Sequence, residues 1–83
     1  MNVQELSQLV MKSVWAADEA ANVCENEYAL GGYYAAHSLA YSLIGGKTPI
    51  KLGDAAHHRR EAVNIAKKLG AHDRTFVVRS WTL

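Results

Sequence analysis

Four side chains that can carry charge stand together at His57-His58-Arg59-Arg60, and Tyr34, His37 and Tyr41 recur at steps of three and four. Arginine offers a planar fork that grips phosphate or carboxylate through two parallel hydrogen bonds, so Arg59 and Arg60 are candidate anion ligands. Steps of three and four place Tyr34, His37 and Tyr41 on one helical face. There, imidazole and phenol either bond to one another or line the wall of a site for a planar or anionic ligand. Lys47, within Gly45-Gly46-Lys47-Thr48, adds a cation beside glycine amides able to contact a phosphate. His57, Arg59, Arg60, Lys47, Tyr34, His37 and Tyr41 thus compose a candidate site for a phosphate-bearing small molecule such as a nucleotide.

Stricter patterns are not met. A phosphate-binding loop of the nucleotide-hydrolase kind requires glycine where Tyr41 stands, and a strand before it rather than a helix. His57 and His58 are neighbours, so on a helix they point about 100° apart. His72 falls beyond the end of that helix, and Cys24 has no histidine or second cysteine at ligand spacing, so no metal site is expected. Cys24 reads as a small core residue. No base and acid are spaced to face each other across a cleft, so the chain is read as a non-enzyme without a cofactor.

These residues need helices to position them. Asn2 is placed to cap the first, with Glu5 three residues on as in a capping box. Val3, Leu6, Val10, Val14, Ala17, Ala21, Cys24 and Tyr28 then recur at alternating steps of three and four, the stripe of an amphipathic helix. Its opposite face carries Gln4, Gln8, Met11 and Trp15. Methionine beside tryptophan in a charge-poor strip is a composition enriched at interfaces, and the alternative is that the C-terminal segment folds back over it.

The second helix is expected between two glycine pairs, Gly31-Gly32 and Gly45-Gly46, since glycine inside a helix costs about 1 kcal/mol. Its small residues and tyrosines, with almost no charge, make it the central helix. The third is expected to start at Asp54 as N-cap and to stop before Gly70, with Ala55, His58, Ala62, Ile65, Ala66 and Leu69 facing inward. Residues 73–83 read as a short helix in preference to a strand, because a lone strand would require pairing with another copy. Phe76 and Trp81 join Met11 and Trp15 as candidate interface residues.

The fold class is therefore all-α: a small antiparallel bundle of three main helices plus a short C-terminal segment, in a single domain over residues 1–83. A chain of 83 residues buries only about 60–65 % of its unfolded surface, and self-association as a homo-oligomer is expected to add stability. Nine Lys and Arg against eight Asp and Glu give a net charge of +1, which disfavours nucleic acid as a partner. With no signal segment, no membrane-length apolar run and a single cysteine, a cytoplasmic location without membrane contact is expected. The leading functional expectation is a protein-binding regulator or inhibitor. The alternative is a helical oligomer that binds or sequesters a nucleotide-like ligand.

Overall fold

A computed structural model of the chain describes residues 1–23 and 26–73, and the side chains of 1–22 and 29–73. Three helices make up the fold, α1 Val3–Val23, α2 Asn26–Leu43 and α3 Ala55–Lys68. They form an all-α bundle in which α2 packs against both neighbours more extensively than α1 and α3 pack against each other. The expected central helix is thus central in fact. No helix among the described residues is long and apolar enough to cross a membrane. Cys24, Phe76, Trp81 and all but the first residue of the predicted C-terminal helix lie outside the described residues, as does the side chain of Tyr28.

Local chemistry fixes the helix ends. Asn2 Oδ1 accepts from Glu5 N at 2.8 Å, and Asp54 Oδ1 accepts from Ala56 N and His57 N at 3.0 and 3.3 Å. At the C-terminus of α2, Gly45 N donates to Ser42 O and Gly46 N to Tyr41 O, with Gly45 at φ +72°. The same pair of bonds ends α3, from Gly70 N to Lys67 O and from Ala71 N to Ala66 O, with Gly70 at φ +104°. This is the left-handed glycine cap that satisfies the last carbonyls of a helix.

The first glycine pair acts differently from expectation. α2 runs straight through Gly31 and Gly32, and the break from α1 falls between Val23 and Asn26. Gly32 faces α1: a Cβ placed on it would stand 2.8 Å from the Cβ of Ala17. The glycine is there so that two helices can touch, and that contact offsets its poor helix propensity.

The buried face of α1 is also rotated from the expected stripe. Val10, Val14 and Ala17 are buried as foreseen, but Ser7, Met11 and Asp18 are buried with them while Val3 is 50 % exposed. Met11, expected on the outer face as an interface residue, is fully enclosed within the chain and contributes to the core. The residues after α3 lie along the flank that Gln4, Gln8 and Trp15 present. Gln8 brackets the backbone of His72, with Oε1 accepting from its N at 2.9 Å and Nε2 donating to its O at 3.1 Å. Trp15 Nε1 donates to Asp73 Oδ1 at 3.2 Å, leaving the indole half-buried. The chain itself covers much of the strip that composition assigned to a partner.

Seven of the thirteen buried apolar side chains are alanine, so the helices approach closely and each contact removes little area from water. α3 meets expectation, with His58, Ala62, Val63, Ile65 and Ala66 buried. α2 does not bury every side, for Ala35, Leu39 and Ser42 are exposed.

Candidate functional site

Where α2, the 44–54 loop and the first turn of α3 meet, two histidines from different helices bond directly. His37 Nδ1 and His58 Nδ1 are 2.9 Å apart, and both rings are buried. His58 Nε2 accepts from the Leu52 amide at 2.9 Å, so that nitrogen carries no proton and the proton of His58 sits on Nδ1. His58 therefore donates to His37, whose own proton must sit on Nε2. The hydrogen bonds fix both tautomers and give the chain a direction: Leu52 amide, His58, His37.

That chain stops short at its far end. His37 Nε2 is buried without a hydrogen-bond partner among the described residues. His37 forms part of the wall of a cavity of about 400 Å³, together with Tyr41, His57, Pro49, Ile50 and Leu52. Lys47 and Thr48 complete its lining from the loop. The Tyr41 ring meets His37 edge to face at 4.7 Å between centroids, and the His57 ring stands 6.0 Å from that of His37. Tyr34 holds the loop from beneath: its hydroxyl donates to Pro49 O at 2.7 Å, its ring meets His58 edge-on, and Lys51 Nζ lies 5.8 Å over it.

Burial pushes His37 below the ordinary histidine value, and the neighbouring His58 acts in the same direction. A histidine lowered in the folded state binds its proton more readily when unfolded, so its contribution to stability is complete above the unfolded value of about 6.5 and is lost as pH falls from there through the folded value. Protonation of His37 would also set its Nδ1–H against that of His58. Stability measured by urea denaturation is expected to drop between pH 7 and pH 5, and His37→Leu is expected to flatten that slope.

A second cluster lies on the other side of α3. Arg59 donates from Nε and Nη2 to the two oxygens of Asp18 at 2.8 and 3.0 Å, and the Tyr33 hydroxyl donates to the same carboxylate. Asp18 is 1 % exposed. Burial, then the bond to Asp18, holds the Tyr33 phenol protonated well above its ordinary range, while the carboxylate holds the Arg59 charge in place. Arg59, expected as an anion ligand, has its fork occupied by a structural partner. Beside it, Arg60 is exposed at the edge of a cavity of about 560 Å³ walled mainly by Ala21, Ala29, Ala55, Ala56 and Val63.

Of the seven residues the sequence assigned to a ligand, the structure gathers His37, Tyr41, Lys47 and His57 around one cavity. Tyr34 supports that cavity from outside, and Arg59 and Arg60 face a different one. His58 and Asp18 were missed as polar groups of consequence. His58 stood on the expected inner face, and a carboxylate one turn from Val14 on the apolar stripe of α1 was the signal for a buried pair. Among the described residues no three His, Cys, Asp or Glu side chains converge as metal ligands. No protein-family model, curated protein or solved structure matches the chain, which leaves its function to be argued from its own residues.

Proposed function

We propose that the chain binds a small phosphate-bearing molecule in the cavity between α2, the 44–54 loop and the start of α3. The observation that carries this reading is the buried donor of His37, oriented by two hydrogen bonds upstream and lacking an acceptor of its own. A buried polar group without a partner is costly, and a ligand atom that accepts from it removes that cost. Lys47, exposed on the loop, supplies the cation, and the rings of Tyr41 and His57 supply aromatic wall.

The test is thermal unfolding with nucleoside monophosphates at low and high salt. Binding to the folded state alone stabilises it by about 2.7 kcal/mol at a ligand concentration of 100 Kd, a shift of many degrees in a domain of this size. The shift is expected to shrink with salt and to fall in Lys47→Ala. No shift at any ligand concentration would end the reading.

The role of regulator or inhibitor through a protein partner loses its main sequence support with Met11 inside the core. What favours it now is Ile44 at 51 % and Ile50 at 82 % exposure, two large apolar side chains at either end of one short loop segment. Loss of self-association or of partner capture in Ile44→Ser with Ile50→Ser is the result that reading requires.

A further inference from the structure

Resting on the reading that this cavity takes a phosphate-bearing molecule, we infer that the ligand enters ring first: a planar ring carrying a carbonyl or ring-nitrogen acceptor meets His37, and the phosphate stays outside at Lys47. The Nε2–H of His37 is a neutral donor, because its Nδ1 accepts the hydrogen bond from His58 Nδ1–H. A phosphate placed there would set negative charge against an uncharged, buried imidazole, whereas the lysine of the lining, Lys47, is on the exposed loop. Burying an unpaired ion costs far more than burying a neutral acceptor that receives a hydrogen bond.

Shape agrees with charge. His37 is 2 % exposed, with the edge-on Tyr41 ring at 4.7 Å and the His57 ring at 6.0 Å. A flat ring brings a single acceptor forward on a thin profile and can stack on a ring of the lining. A tetrahedral phosphate brings further oxygens that no donor there can satisfy. At the loop the preference reverses, since Lys47 is exposed and the backbone is open to water. Because the donor atom itself is buried, the ring edge reaches it only as Tyr41 or the loop yields slightly.

Uridine 5′-monophosphate, uridine and ribose 5-phosphate separate the possibilities, because uracil is a small ring with two carbonyl acceptors and the other two probes remove the phosphate or the ring. Affinities are read by calorimetry on the full chain at low and high salt, with the His37 imidazole nitrogen followed by NMR. The expected order is uridine 5′-monophosphate, about fivefold tighter than uridine at low salt and equal to it at high salt, as one exposed ion pair implies. Ribose 5-phosphate is expected to be weaker than uridine by about tenfold or more, the effect of leaving the buried donor unmet, and uridine is expected to move the His37 Nε2 resonance. Ribose 5-phosphate binding as well as the full nucleotide, or uridine binding without a change at His37, would overturn the ring-first orientation while leaving phosphate binding standing. No binding by any of the three would remove the parent reading and this one with it.

Discussion

Replacing Arg59 with methionine is expected to cost about 3–5 kcal/mol of folding stability, the effect of removing one partner from a buried ion pair. The carboxylate of Asp18 is then left 1 % exposed with only the Tyr33 hydroxyl bonded to it. A domain of this size is stable by roughly 4–12 kcal/mol in all, so the loss is about a quarter of the total or more. Asp18→Leu is expected to cost less, because the Arg59 side chain is 32 % exposed and its guanidinium can turn towards water. Removing both partners together, Asp18→Leu with Arg59→Met, should recover much of the loss, since an apolar pair of similar volume requires no compensating charge. Urea midpoints for the four proteins form a double-mutant cycle. Equal costs for the two single variants would contradict the burial asymmetry on which the argument rests.

Gly31 and Gly32 are expected to respond to alanine with opposite signs. At Gly31 a Cβ meets nothing within 4 Å, so Gly31→Ala should stabilise by about 0.5–1 kcal/mol through helix propensity and a less flexible unfolded chain. At Gly32 the new Cβ would stand 2.8 Å from that of Ala17 and 3.6 Å from its Cα, atoms that no side-chain rotation can move away. α1 and α2 must separate, at a cost of about 1–3 kcal/mol that outweighs the gain in propensity. Ala17→Gly introduced with Gly32→Ala restores the space and should recover part of the loss. Thermal unfolding of the two single variants decides the matter: two shifts of the same sign would mean that the helix crossing is looser than described.

The same pair of glycines shows where sequence reading reached its limit. Caps were legible because their chemistry is local: Asn2, Asp54 and Gly70 each act on groups within a few residues. Gly32 was not, since its role depends on Ala17 in another helix, and a glycine that ends a helix looks the same in sequence as one that admits a neighbour. The phase of α1 failed for a related reason. Apolar residues alone drew the stripe through Val3, and the polar Ser7 and Asp18 that belong to the buried face pulled it towards Met11.

The candidate site was half legible. Spacing put His37 and Tyr41 on one face and placed His58 inward, but nothing in a linear chain states that His37 and His58 meet across 21 residues. Nor could it separate Arg59 from Arg60. Their shared chemistry made both look like anion ligands, and only the position of Asp18 distinguishes a structural guanidinium from an exposed one.

The seam between the start of α1 and residues 70–73 also bears on the order of events during synthesis. Gln4, Gln8 and Trp15 bond to partners 66, 64 and 58 positions later, so this flank of the first helix cannot be completed until nearly all of the described chain exists. At a ribosomal pace of about 5–20 residues per second, Gln8 waits roughly 3–13 s for His72 to be made. During that interval the indole of Trp15 lacks the Asp73 contact that later holds it. The first helix thus emerges with this flank open, and its seam closes only after residues 70–73 have been made.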